Sequence, residues 1–401
     1  MYETLAILAG FVLLYSVVGG RLERTPVNGA LVFTGFGLVV GPIGLGLLDL
    51  QVSAEGLRTL AEVTLALVLF TDAANADLAV LRRGFRIPQR LLLIALPLII
   101  VLGWAAGMLL FDGLTLLEAA ILATMVAPTD AALGKAVVTN QAVPAPVREG
   151  LNVESGLNDG LCVPILFVLL VLATDVRGEA DPTTSALTFS AEEIGIGAAA
   201  GVVVTLLGAG LLKLCADLKW VTETWRQLPV PALALKCFAG AQALGGSGFI
   251  AAFAGGLLFG ALAKSHKHGL LLAAEGTGDT LALLTWVVFG SAVVGQIAGD
   301  LAWQNLLYAG LSLTLIRMLP VYLALAGLNL RTDEKLFLGW FGPRGLASIV
   351  FAVIVYDQGL PGSESIVATV ACTIILSIIA HGLTAYPLSL ALGARLRAAP
   401  K

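Results

Sequence analysis

Charge is scarce in this sequence. Only 12% of its 401 residues are Asp, Glu, Lys or Arg, about half of the roughly 25% that soluble domains carry. So little charge cannot cover a water-facing surface, and a mean hydropathy of +0.93 argues the same way. A formal net charge of −4 offers no basic face for nucleic acid. Histidine occurs 3 times and cysteine 4 times. Cys162, Cys215, Cys237 and Cys372 are scattered through apolar stretches without a CxxC pair, so free thiols are expected rather than disulfides or a zinc or other transition-metal site. The N-terminal stretch has no basic segment and no small-residue cleavage site, and reads as a first membrane span rather than a signal peptide. Low-complexity tracts are also missing.

What the sequence has instead is apolar length. Hydrophobic residues make up 58%, and 46 glycines suit close helix packing in a bilayer. A span takes about 20 mostly apolar residues. Thirteen candidate ranges follow: 3–20, 29–50, 57–77, 88–111, 115–138, 148–173, 191–215, 229–245, 247–263, 272–297, 301–327, 334–356 and 363–394. Basic residues alternate with them. Arg21, Arg24, Arg82, Arg83, Arg86, Arg90, Lys135, Arg148, Lys213, Lys219, Arg226, Lys264, Lys267, Arg331, Lys335, Arg395, Arg397 and Lys401 fall after odd-numbered spans, against Arg58 and Arg177 on the other side. Positive residues stay cytoplasmic. The reading is an all-α polytopic membrane protein with 13 transmembrane helices, N-terminus outside and C-terminus cytoplasmic. A single membrane domain over residues 1–401 is expected, without a cytosolic regulatory domain, in the plasma (inner) membrane of a prokaryote.

Ionisable residues inside spans cost several kcal/mol unless paired or hydrated, so each is a functional candidate. They are Asp72, Asp130, Glu154, Asp159, Arg317 and Arg344, with Glu62 and Asp77 nearer span ends and His381 in the last span. In span 5, Pro128 removes a backbone donor, which predicts a break near Ala127–Asp130. In span 12, Gly342, Pro343 and Gly345 bracket Arg344 and predict another. Interrupted spans in corresponding places of two halves point to a transporter of inverted repeats, and irregular backbone at membrane depth is tolerated where it lines a cavity.

Span 6 contains VESGLNDG. Glu154 and Asn158 are four apart, as are Ser155 and Asp159, so each pair shares a helix face. Together with Thr129 and Asp130 they make an oxygen-rich site of the kind hard cations such as Na+ prefer, with Asp159, Asp130, Ser155 and Thr129 as the candidate ligands. Two carboxylates close together in a low-dielectric cavity cannot both ionise freely. One that can hold either a proton or a cation couples the two ions, which is antiport in physical terms.

Other roles are open to the same residues. Asp130 suits an N-cap of the second half-helix, the Ser155 and Thr129 hydroxyls can bond their own backbone, and His381 suits a satisfied packing position. Glu275 and Asp279 read as acids at the start of span 10. His266 and His268 sit in a basic loop.

The motifs APTDAAL, VESGLNDG, GSGFIAAFAGGLLFG and GPRGLAS resemble those of NhaP-type sodium/proton antiporters of the monovalent cation/proton antiporter-1 family, in span order across the chain. The resemblance implies a homodimer with a dimerisation part and a mobile core including spans 4–6 and 11–13, with the ion site between crossing broken helices. It implies Asp159 as the cation and proton carrier, Ser155 as a neighbouring ligand, and Thr129 and Asp130 in the broken-helix motif. Asn158 marks the electroneutral branch, which implies one Na+ (or Li+) exchanged for one proton. Glu154 is bonded to an arginine in the family, with Arg317 the first choice and Arg344 the second. Many members carry Glu in an LLFE-like sequence on the third span where this chain has LVLFTDAANADL; Asp72 maps there, either as an ion ligand or as a structural or funnel residue.

A K+/H+ antiporter of the same fold is the nearest alternative. A membrane hydrolase would need an activated nucleophile, and no histidine lies in spans 5 or 6. The paired breaks favour alternating access over a continuous channel. No cofactor is expected beyond the transported ions.

Overall fold

Backbone polar groups surrounded by apolar side chains must find partners inside their own segment, which favours helices. The computed structural model describes residues 2–22, 25, 27–47, 54–76, 86–175, 182–222, 224–263, 267–294 and 301–398, and it contains helices and no strand among them. In chain order these are α1 (Tyr2–Leu22), α2 (Gly29–Val40), α3 (Ala54–Asn75), α4 (Arg86–Leu110), α5 (Leu116–Met125), α6 (Ala131–Val138), α7 (Ala145–Asp175), α8 (Pro182–Asp217), α9 (Pro229–Ala243) and α10 (Gly248–Ala263). They continue with α11 (Lys267–Val288, extended by a π-turn over Phe289–Val294), α12 (Trp303–Leu313), α13 (Leu315–Ala324), α14 (Thr332–Trp340), α15 (Leu346–Asp357) and α16 (Ser363–Ala398).

Helix occupies part of every range read from the sequence. Among the described residues, 7 helices are long and apolar enough to cross a membrane: Tyr2–Leu22, Arg86–Leu110, Ala145–Thr174, Ser190–Asp217, Gly269–Val294, Trp303–Ala324 and Ser363–Arg397. The chain is thus a polytopic membrane protein. Asp77, His266, the side chain of His268 and several loop charges (Arg24, Arg82, Arg83, Arg177, Lys264, Lys401) lie outside the described residues.

The turn between spans 8 and 9 is well formed. Gly245 adopts φ 76°, and Gly246 N–H donates to Ala241 O at 2.9 Å, the pattern that ends a helix with a left-handed glycine. Downstream glycines serve packing: a Cβ on Gly256 would lie 2.3 Å from Phe70 O, and one on Gly260 2.2 Å from Ala74 O. Helices α3 and α10 therefore meet backbone to backbone, which only small residues permit.

The structure departs from the sequence reading in three places. The range 301–327 is not one straight helix. Thr314 (φ −113°, ψ −95°) separates α12 from α13, where the Thr314 hydroxyl donates to Gly310 O at 2.6 Å and Pro320 cannot donate to the preceding turn. Helix α4 widens into a π-turn at Leu91–Ala95, just before Pro97, whose ring crowds that turn. Glu275 and Asp279 do not start a helix: α11 already begins at Lys267, so both lie inside a formed helix whose first turns carry no acid. Glu275 instead accepts from Asn75 Nδ2 of α3 at 2.6 Å.

Candidate functional site

The predicted interruptions are both present. Residues 126–130 separate α5 from α6, and residues 341–345 separate α14 from α15. A broken helix leaves carbonyls without donors at one end and N–H groups without acceptors at the other. Here each break satisfies the other. Asp130 N–H donates to Pro343 O at 2.8 Å. On the carbonyl side, Ser348 Oγ donates to Met125 O at 2.7 Å, and Arg344 Nη1 donates to Ala127 O and, at 3.1 Å, to Pro128 O. Arg344 is fully buried, so its positive charge sits against the negative end of α5.

On the N–H side, Asp130 serves both half-helices. Its Oδ1 accepts from Leu133 N at 3.0 Å, capping α6, and its Oδ2 accepts from Leu346 N at 2.9 Å, capping α15. One carboxylate therefore faces two helix N-termini, each with partial positive charge. Gly345 makes this possible, since a Cβ there would lie 2.0 Å from Asp130 Oδ2.

The polar residues of α7 divide between two tasks. Glu154 turns to α13 and pairs with Arg317 through two hydrogen bonds, Nη1 to Oε1 at 3.0 Å and Nη2 to Oε2 at 3.1 Å. Both side chains are buried, 3% and 1% exposed. Arg317, not Arg344, is thus the partner of Glu154. The kink at Thr314 precedes Arg317 on α13, and Gly342 gives it room: a Cβ there would lie 1.8 Å from Arg317 Nε. Ser155 and Asn158 turn instead to the first break. Ser155 Oγ lies 2.9 Å from Thr129 Oγ1, and Asn158 Nδ2 donates to Thr129 Oγ1 at 2.7 Å. The two hydroxyls bond each other rather than their own helix turns.

Asp159 completes the group. It is 7% exposed, and its Oδ1 has no hydrogen-bond partner; neither does the Oδ1 of neighbouring Asn158. Asp72 on α3 is half-buried, and its main-chain oxygen would lie 3.3 Å from a Cβ at Gly156 of α7. Asp72, Asp130 and Asp159 are close enough to feel one another's charge. A cavity of about 650 Å³ runs beside α6, lined by Asn28, Ala132, Leu133, Lys135, Asp279 and Tyr386 among others. It therefore borders the half-helix that Asp130 caps.

Sequence reasoning missed part of the support. Ser377 and His381, four apart on α16, clamp the second break. Arg344 N–H donates to Ser377 Oγ at 2.6 Å, Ser377 Oγ lies 3.1 Å from His381 Nδ1, and His381 Nε2 lies 2.8 Å from Trp340 O at the end of α14. Their spacing on one helix face was the available signal. Glu118, buried in α5, forms a capping box with Thr115 and also accepts from Gly362 N at 2.7 Å. Glu62 accepts from Arg58 at 2.7 Å, and Arg58 also pairs with Asp357 at the end of α15.

Two interrupted helices that satisfy each other around buried carboxylates are an arrangement in which irregular backbone is tolerated at membrane depth. Residues 8–391 match the family described as sodium/hydrogen exchanger, transmembrane, and the chain belongs to that family. A K(+)/H(+) antiporter NhaP2 from Shewanella sp. (strain ANA-3) is 25% identical over 380 residues, covering 94% of this chain and 64% of the relative. This chain therefore spans less than two thirds of that relative's length. A Na(+)/H(+) antiporter from Schizosaccharomyces pombe is 23% identical over 363 residues, covering 82% of this chain and 76% of the relative. The solved sodium proton antiporter MjNhaP1 from Methanocaldococcus jannaschii at pH 8 shares the fold, with a TM-score of 0.76, 20% identity and 99% coverage of both chains. The NhaP-type resemblance read from the motifs agrees with these relatives.

Proposed function

We propose that this chain is a secondary antiporter that exchanges a monovalent cation for a proton, with both competing for Asp159. The observation that carries this reading is the Asp159 oxygen without a donor. A buried acceptor with no partner is costly, and a proton or a cation would relieve it. Thr129, Ser155 and Asn158 offer further oxygens beside it, and hard cations prefer such ligands. Na+, with Li+ as a smaller analogue, is the cation this site suits. Asp130 contributes through its place at the two helix N-termini, and Asp72 supplies a third nearby carboxylate.

The coupling follows from charge. Asp159 carrying a proton or one Na+ is locally neutral and can move with its surroundings through the low-dielectric layer. An empty, ionised Asp159 is far dearer to move. Asn158 adds no second titrating charge, which supports electroneutral 1:1 exchange. In this reading α4–α7 and α12–α16 form the mobile core, the remaining helices form a dimerisation part of a homodimer, and alternating access exposes the site to each side in turn. The basic residues favour an N-terminus outside, in the plasma membrane of a prokaryote. A K+/H+ antiporter is the second reading, favoured by the name of the Shewanella relative.

The test is proton flux in proteoliposomes of the purified protein at a fixed pH gradient, with Na+, Li+ or K+ added and voltage clamped by an ionophore. Voltage-insensitive flux with Na+ and not K+ supports the leading reading, and flux with K+ moves the assignment to the second. No cation-dependent flux from folded protein refutes both.

A further inference from the structure

We propose that the groove between α13, α14 and α16 is a binding site for an anionic phospholipid. The groove encloses about 750 Å³. Its walls are apolar, with Phe337, Trp340, Leu388 and Leu392, and its rim carries Arg331 and Arg395. Arg331 immediately precedes α14 and Arg395 lies in the last turn of α16. The two guanidiniums therefore sit where helices end, above an apolar trough that runs along the helices.

In a membrane such a trough is not left empty. Its lining would lose its dispersion contacts against a void, and the material at hand to fill it is acyl chain. Charge at the rim then selects the head group. Arg331 is 47% exposed on its side chain and gives only its Nε to Asp333, at 3.2 Å, so its terminal nitrogens are free to turn outward. Glu334 is occupied in accepting the Arg331 backbone N–H at 2.8 Å. Arg395 and Arg397 are exposed, and Lys335 stands over the Tyr322 ring at 5.6 Å. At the groove itself two cations, Arg331 and Arg395, face one carboxylate, Asp333, which already accepts from Arg331. Planar guanidiniums bind phosphate oxygens in pairs, and basic pockets between membrane helices take anionic head groups.

The position of the groove gives the lipid a structural role. Met318, next to the Arg317 that holds Glu154, lines it. So does Trp340, the last residue of α14, whose carbonyl meets His381. A bound lipid braces the arm that carries the second break. The binding does not depend on the transport reading.

The experiment uses the delipidated full chain, with native mass spectrometry and thermal unfolding after adding phosphatidylglycerol, phosphatidylcholine of the same chains, or inorganic phosphate. Phosphatidylglycerol should be retained preferentially and raise the unfolding midpoint. Arg331→Gln/Arg395→Gln should lower its retention roughly thirtyfold, to the level of phosphatidylcholine, while Lys213→Gln/Arg226→Gln on another surface should not. If the double variant does not fold, Ala391→Trp keeps the rim charges, fills the trough and should also lower retention. Equal retention of the two lipids, retention unchanged in the groove variants, or stabilisation by phosphate alone equal to that by phosphatidylglycerol would each overturn the proposal.

Discussion

Removing one member of the buried Glu154–Arg317 pair should destabilise the protein more than removing both in a matched way. The two groups make parallel hydrogen bonds of 3.0 and 3.1 Å and are 3% and 1% exposed. Glu154→Gln leaves the guanidinium charge in place with one further carbonyl, Phe341 O at 3.4 Å, and an Nε that already lacks a partner. Breaking such a pair from one side costs about 3–5 kcal/mol, whereas replacing both members with well-packed apolar or neutral groups is often close to neutral. Arg317→Met should cost a similar amount by stranding the carboxylate. In Glu154→Gln/Arg317→Met neither charge remains, and the double variant should recover at least ~2 kcal/mol relative to the sum of the single changes, roughly a thirtyfold shift in the folding equilibrium. Denaturant unfolding of the purified protein in a fixed detergent measures all four corners of this cycle. Strictly additive losses, or a Glu154→Gln variant as stable as the parent, would refute the reasoning.

Three further outcomes follow from the site. Asp159→Asn should abolish cation-dependent proton flux while the unfolding midpoint stays near that of the parent; normal flux in this variant would remove Asp159 from the exchange. Gly345→Ala would place a Cβ 2.0 Å from Asp130 Oδ2, so the carboxylate must leave the N-terminus of α15. We expect a stability loss of roughly 1–3 kcal/mol, the cost of stranding buried polar groups, and loss of flux, whereas Gly276→Ala, which meets nothing within 4 Å, should change neither. Asn158→Asp replaces a donor to Thr129, at 2.7 Å, by a carboxylate that can only accept, and adds a buried charge beside Asp159. Flux should fall, and flux equal to the parent's would contradict the role given to Asn158 as the donor that holds Thr129.

The architecture has a simple physical logic. A broken helix at membrane depth exposes backbone groups that lipid cannot satisfy. Two breaks placed face to face solve this together, with Asp130 taking the N–H ends and Arg344 with Ser348 taking the carbonyl end. Asp159 stands beside this arrangement with an oxygen left over. The site is therefore polar without being self-satisfied, which is what the proposed exchange requires.

Much of this was legible in the sequence because it depends on local properties. Hydropathy runs marked the helical ranges, Pro128 and the Gly342–Gly345 segment marked the breaks, and polar residues within apolar runs marked the site. Each is set by what one residue or one turn can do with its own backbone in lipid. The tertiary structure decided everything that depends on segments meeting. Asp130 and Leu346 are 216 residues apart in sequence, and Glu154 and Arg317 are 163 apart. No local pattern distinguishes Arg317 from Arg344 as the partner of Glu154 or shows that one carboxylate caps two helices. Those assignments come from the rotation and depth at which helices pack, and these are set by backbone contacts such as Gly256 on Phe70 and by the kink at Thr314.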